Sequence, residues 1–205
     1  MCKIRSDRFS PSSIYTDLKA LDKTKTPGYD GVHPHILNEC AASFSEVLSK
    51  IYIKSFDTGV VPDAWNCANI SPIFKKGKKT DPSNYRPISL TAIPCKIIEK
   101  ILKSAIIDHL FDNKLISKNQ HGFVRHKSCV TNLLESLDII TEALNMGFLI
   151  DLILLDFSKA FDLVSHVGLI KKLETMGLDL KIINWIKSFL KNRKQRVVLG
   201  ESMSS

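Results

Sequence analysis

The chain has 205 residues, 44% of them hydrophobic, and 29 Lys and Arg against 21 Asp and Glu give it a net charge of +8. That length suits one sizeable domain or two small ones, and the composition excludes a disordered tail, a low-complexity linker and a repeat array. The longest apolar stretch, "FLIDLILL", is too short to span a bilayer and carries Asp151. The opening "MCKIRSDRFSPSS" lacks the apolar middle of a secretion signal. An intracellular protein, nuclear or cytoplasmic, with no membrane partner is therefore expected.

Along the chain, Ser10 with Pro11 reads as a helix start, and Ile14, Leu18 and Leu21 follow at helical spacing. "KTKTPGYDGVHP" breaks the pattern with glycine and proline. Helical spacing returns in "ILNECAASFSEVLSKIYIKSF" and stops near Gly59 and Pro62. "ANISPIFKKGKKTDPSNYRPISLT" reads as two short strands joined by a lysine-rich loop. From Pro94 to about Phe111 a helix carries Ile97, Ile98, Ile101, Leu102, Ile106 and Leu110 on its apolar side. "ISKNQHGFVRHKSC" is a loop. A second long helix runs from Cys129 to Met146, with Leu133, Leu134, Leu137, Ile140 and Leu144 as its stripe.

The run "FLIDLILLD" then reads as a strand buried on both faces of a sheet. Two helices follow, roughly Ser165–Met176 and Leu180–Lys191, and "QRVVLG" is a last strand. The sum is an α+β chain, helix-rich at first, with a strand core that lacks neighbours for its central strand.

Five scattered cysteines (Cys2, Cys40, Cys67, Cys95, Cys129) form no zinc-knuckle spacing, and reduced thiols are expected. His33, His35, His121 and His126 stand without nearby Cys or acidic ligands and read as non-metal residues. The basic charge is clustered. Lys75, Lys76, Lys78 and Lys79 surround Gly77, and Lys187, Lys191, Arg193, Lys194 and Arg196 form a second run with no acid among them. A charge run is commonly a solvated face; two such runs on a basic chain fit a polyanionic partner as well as that plain reading.

Asp156 ends the apolar run, and Phe161 and Asp162 follow. A carboxylate at a rigid strand end suits Mg²⁺, which takes one or two carboxylates plus substrate phosphates. Capping of the following turn is the plain alternative. A haloacid-dehalogenase-type aspartyl nucleophile would want an Asp two residues on, where Ser158 stands.

"LLDFSKAFDLVSH" resembles the first carboxylate motif of reverse transcriptases from non-LTR (LINE-type, jockey-like) retrotransposons. Other blocks resemble the same family in its own order: "KTPGYDGVHPHIL", the fingers hairpin "PDAWNCANISPIFKKGKKTDPSNYRPISLT", "KIIEKIL", "QHGFVRHKSCVTNLLE" and "WIKSFLKNRKQRVVLGESMSS". The resemblance implies a right-hand polymerase-like fingers region over residues 1–147, with its basic hairpin at about 68–91, and the first part of a palm, with an incomplete sheet, over 148–205.

It further implies an RNA-directed DNA polymerase that works on an RNA template, a DNA primer and deoxynucleoside triphosphates through two Mg²⁺ ions. Asp156 would be the first metal carboxylate, with the Phe157 backbone carbonyl beside it. Phe161 would stand against the nucleotide sugar and exclude a 2′-hydroxyl; core packing at the turn is its alternative. Arg86, with Lys76 or Lys75, would grip the incoming triphosphate, and Gln120 would lie near template and nucleotide. Lys78, Lys79, Arg125, Arg193, Lys194 and Arg196 would meet the nucleic-acid backbone. The family wording puts Arg directly after Gly-Phe, where this chain has Val124 and then Arg125. Asp162 reads either as a ligand or as a cap for a helix at "LVSH", and Lys159 takes no separate role. No Asp-Asp pair and no Gly-x-Pro-Gln-Gly occurs in the 205 residues. The expectation is therefore a domain cut upstream of its other metal ligands and inactive by itself. The alternative function is a non-catalytic remnant or nucleic-acid-binding module.

Overall fold

A computed structural model describes residues 4, 6–158 and 160–204; Cys2 and Lys159 lie outside them. The chain forms two compact units, one comprising residues 1–109 with 166–205 and the other residues 110–165. Among the described residues, seven α-helices and a small mixed sheet of four strands make the chain α+β.

The helices start where the side chains satisfy free backbone donors. Ser10 accepts a hydrogen bond from the Ser13 N–H at 3.3 Å, and Pro11 opens α1 (Pro11–Lys19) at the position where no N–H is needed. The helical spacing after Pro34 resolves into two helices, α2 (Pro34–Glu39) and α3 (Ala41–Thr58), interrupted at Cys40. Gly59 closes α3 in the left-handed region at φ 67°, where a Cβ is disfavoured. There follow α4 (Ile93–Asp112), α5 (Cys129–Asn145), α6 (His166–Thr175) and α7 (Leu180–Leu190). Asp179 caps α7 by accepting from the Lys181 N–H at 2.8 Å.

The first unit holds the core. Ile14 and Leu18 of α1, Tyr52 and Phe56 of α3, Ile97, Ile98 and Ile101 of α4 and Ile182, Ile183 and Trp185 of α7 are buried in one cluster. Its polar atoms are paired: Tyr52 donates to the Pro94 carbonyl at 2.7 Å, Ser49 to that of Phe9 at 2.6 Å and the Trp185 indole to Ser55 Oγ at 3.0 Å. Removing the Ser55 hydroxyl would strand a buried indole N–H, a loss of about 1–3 kcal/mol.

The sheet lies in the same unit. Strands β1 (Cys67–Phe74), β2 (Tyr85–Thr91), β3 (Lys194–Leu199) and β4 (Ser202–Met203) take the order β2-β1-β3-β4. β1 pairs antiparallel with β2 and parallel with β3. Gly28 sits where the chain touches the start of α4: a Cβ there would come within 2.2 Å of the Thr91 carbonyl oxygen. The glycine in "TPGYDG" is therefore required by close backbone approach.

The second unit contradicts one expectation. Residues 149–156 form no strand, and their side chains are exposed, Leu149 fully and Leu155 at 85%. A strand buried on both faces needs hydrogen-bonding neighbours on both edges, and among the described residues none pairs with this segment. The apolar stripe of α5 (Leu133, Leu134, Leu137 and Leu144) is exposed as well. Nor does Asp162 cap a helix: α6 begins at His166, so the residue before it is Ser165.

Candidate functional site

In the first unit, the sheet brings Arg86 to the same face as two residues of the second basic run. Successive side chains of a strand alternate between faces. In register, Asn69 stands beside Arg196, Cys67 beside Lys194 and Ile73 opposite Arg86. Arg86, Lys194 and Arg196 therefore share one face of the sheet, although more than a hundred positions separate Arg86 from the other two in sequence. Arg86 and Lys194 are exposed. Arg196 is held: its Nε–H donates to Asn69 Oδ1 at 2.8 Å, and its guanidinium lies 4.7 Å from the centre of the Tyr29 ring. Tyr29 comes from the "TPGYDG" turn that Gly28 docks. Arg193 is also engaged, 4.5 Å above the Phe189 ring, which in turn stacks on Trp185 at 5.2 Å.

The lysine-rich tip is a shaped turn. The Lys75 N–H donates to the Asn84 carbonyl at 2.8 Å, closing the hairpin. The Asn84 amide donates to the Lys78 carbonyl at 3.0 Å, and the Tyr85 hydroxyl to that of Lys79 at 2.8 Å. Asp81 accepts from the Ser83 N–H and hydroxyl at 2.9 and 2.7 Å, and these bonds hold its carboxyl below the usual carboxylate range. Gly77 takes φ 93° with the Asn84 side chain packed where a Cβ would stand. Lys75, Lys76, Lys78 and Lys79 all project from this frame as exposed cations, Lys79 lying 5.9 Å from the centre of the Phe74 ring.

In the second unit, Asp156 and Phe157 lie on the exposed segment, Phe157 at 81% exposure. Phe161 is 80% exposed, so core packing is not its role here, and its ring meets Phe123. Gln120 is exposed, and its amide donates to the Gly122 carbonyl at 3.4 Å; Arg125 is exposed as well. Sequence reasoning missed His121. It is the one buried residue among the described residues of this unit, with Nε2 2.6 Å from Glu135 Oε2 and Nδ1 2.9 Å from Thr131 Oγ1. The four-residue spacing of Thr131 and Glu135, which puts both on one face of α5, is the signal that could have found it.

Among the described residues, no group of three or more His, Cys, Asp or Glu is placed to hold a metal ion. The Asp156 carboxylate and the Phe157 carbonyl are hard-oxygen groups of the kind Mg²⁺ takes. Two Mg²⁺ ions need more carboxylate than that, so these residues do not fit the pair of ions by themselves.

Residues 74–204 match the family model described as reverse transcriptase (RNA-dependent DNA polymerase). The chain is 28% identical, over 93% of its length, to the probable RNA-directed DNA polymerase from transposon BS of Drosophila melanogaster, and covers 21% of that protein. It is 30% identical over 88% of its length to the RNA-directed DNA polymerase from mobile element jockey of the same fly, covering 20% of it. With the probable RNA-directed DNA polymerase from transposon X-element, also of D. melanogaster, it shares 25% over 96% of its length and covers 22%. The chain thus spans about a fifth of the length of these relatives. The matching model covers more than half of the chain, and its relatives are polymerases of non-LTR retrotransposons: the chain belongs to the reverse transcriptase family.

Proposed function

We propose that this chain is the fingers region and the first part of the palm of a retrotransposon RNA-directed DNA polymerase, divided near residue 147. The partners of that polymerase are an RNA template, a DNA primer and deoxynucleoside triphosphates, and its chemistry is two-metal nucleotidyl transfer with Mg²⁺, which this chain does not perform by itself. In this reading Asp156 is the first metal carboxylate, with the Phe157 carbonyl beside it, and Phe161 is the ring that excludes a 2′-hydroxyl. Arg86, with Lys76 or Lys75, meets the triphosphate, and Gln120 lies near template and nucleotide. Lys78, Lys79, Arg125, Lys194, Arg193 and Arg196 contribute positive charge along the nucleic acid. Arg196 and Arg193 do so from fixed positions, since Tyr29, Asn69 and Phe189 hold them. No described helix is long and apolar enough to cross a membrane.

The observation that carries this reading is the shared face of Arg86, Lys194 and Arg196 on a chain of this family. A fixed guanidinium grips phosphate oxygens bidentately, and each neutralised phosphate releases counterions. Binding of a primer–template by the 205-residue chain should therefore weaken steeply with salt. Replacing Lys75, Lys76, Lys78 and Lys79 together by Gln should lower the magnitude of the log–log salt slope by up to about 3. A dissociation constant indifferent to salt would remove the nucleic-acid interface.

The second reading, a nucleic-acid-binding module that does not polymerise, is favoured by the single exposed carboxylate of the "LLDF" segment. It gives the same salt dependence, and primer extension separates the two.

A further inference from the structure

The hairpin has a second face with a different chemistry. Arg86 and Ile73 point to one side; Pro72, Phe74, Tyr85 and Pro87 point to the other, by strand alternation and the pairings Pro72–Pro87 and Phe74–Tyr85. On that side, the parallel partner strand adds Val197, in register with Ile70, and Leu199 two residues on. Pro72, Tyr85, Pro87, Val197 and Leu199, together with Lys79, border an open cleft of about 470 Å³ whose lining contains no carboxylate. The size falls within the roughly 300–1,000 Å³ of small-ligand sites.

We infer that this cleft is a nucleobase-binding groove that holds an unpaired base of a single strand while the tip lysines hold its phosphates. The inference rests on the nucleic-acid reading above but uses the opposite face from Arg86. The Tyr85 ring is fixed at both ends: its hydroxyl donates to the Lys79 carbonyl at 2.8 Å, and Phe74 meets its ring at 5.5 Å in an edge contact. A ring fixed before binding loses little freedom when a base stacks on it. The Pro72–Pro87 pair extends the platform with two rigid pyrrolidine rings. Charge complementarity selects the occupant: exposed Lys75, Lys76, Lys78 and Lys79 sit at the same end of the hairpin, and a base joined to phosphates satisfies both the apolar floor and the cationic rim. An added peptide strand is disfavoured, because β2 is the edge strand and Pro87 offers no N–H to pair.

The test compares three labelled single strands of roughly ten nucleotides: oligouridylate, oligodeoxythymidylate, and an abasic strand with the same number of phosphates. The 205-residue chain should bind both base-bearing strands at least about tenfold more tightly than the abasic one. Leu199→Asp places a carboxylate in the cleft from an exposed position, 62% accessible, and should abolish that ratio. Tyr85→Ala should do the same, whereas Tyr85→Phe, which keeps the ring, should preserve it. Replacing the four lysines by Gln should weaken all three strands together and leave the ratio intact. A tighter oligouridylate than oligodeoxythymidylate would assign the groove to RNA, and the reverse to DNA. Equal affinity for base-bearing and abasic strands would overturn the groove and leave the phosphate interface standing. So would a ratio unmoved by Leu199→Asp. No binding of any strand would overturn both.

Discussion

The Phe123 ring stands edge-on to Phe161, their centroids 6.1 Å apart and their planes at 86°. Such a contact is favourable beyond its buried area, and it joins the "QHGF" loop to the "LLDFSKAFD" segment inside one compact unit. Phe123 makes it from a left-handed backbone at φ 60°, unusual for a bulky residue. The loop thus pays backbone strain to aim this ring.

If Phe161 is the ring that reads the sugar, Phe123 backs it. In a polypeptide that carries this chain together with an Asp-Asp-bearing palm segment, Phe161→Val should raise ribonucleotide incorporation relative to deoxyribonucleotide by at least about tenfold. Phe123→Ala should give a smaller change in the same direction. The ratio of kcat/KM for the two nucleotides reads both. Unchanged selectivity in Phe161→Val would remove the sugar-reading role.

His121 holds the same loop. With both ring nitrogens bonded to α5 side chains, at 2.6 and 2.9 Å, it ties Gln120 and Phe123 to a helix that buries no apolar side chain. Its replacement by Ala should lower amide-exchange protection across residues 120–127 by about tenfold. The unit containing α1, α3 and α7 should keep its protection. Hydrogen-exchange mass spectrometry separates the two regions. Unaltered exchange in the loop would show that the bonds to Thr131 and Glu135 do not hold it.

Glu99 gives a pH dependence of known sign. Burial pushes its carboxyl above the ordinary value of 4.5, against the opposing pull of the Cys95 thiol, which donates to Glu99 Oε1 at 3.2 Å. The folded chain therefore binds more protons than the unfolded chain just above that value, and stability falls as pH rises from about 4.5 through the folded-state pKa. Glu99→Gln keeps an oxygen for the Cys95 thiol and removes the buried charge. It should flatten this slope and raise the melting temperature at pH 7 relative to pH 5. Thermal melts at the two pH values check it, and an unchanged slope would place the titration elsewhere.

Apart from the break at Cys40 between α2 and α3, the helices of the first unit were legible because they rest on local signals. Ser10 and Pro11 mark a start, Gly59 marks a stop, and Ile97, Ile98 and Ile101 repeat with the helix period. The hairpin was legible because a lysine-rich, glycine-bearing turn separates two short apolar runs. Residues 149–156 were misread for a physical reason: an apolar run reports what a strand needs, not whether a neighbour is present to pair with it. Pairings far apart in sequence, such as Tyr29 with Arg196 and Asn69 with Arg196, carry no periodic trace. The role of Arg196 as a held cation could be seen only after β3 had been placed beside β1. The partners of His121, Thr131 and Glu135, could be seen only once the loop's return to α5 was placed.

The central claim is that Asp156 is a metal carboxylate of a reverse transcriptase, and primer extension tests it most directly. The 205-residue chain alone should give no product on a primed RNA template with Mg²⁺. A polypeptide that adds an Asp-Asp-bearing palm segment should extend the primer. Asp156→Asn in that polypeptide should cut extension by at least about a hundredfold with little change in primer–template affinity, since Asn keeps the shape of the side chain and loses only its charge. Near-normal extension by Asp156→Asn would contradict the account and return Asp156 to the role of an exposed turn residue.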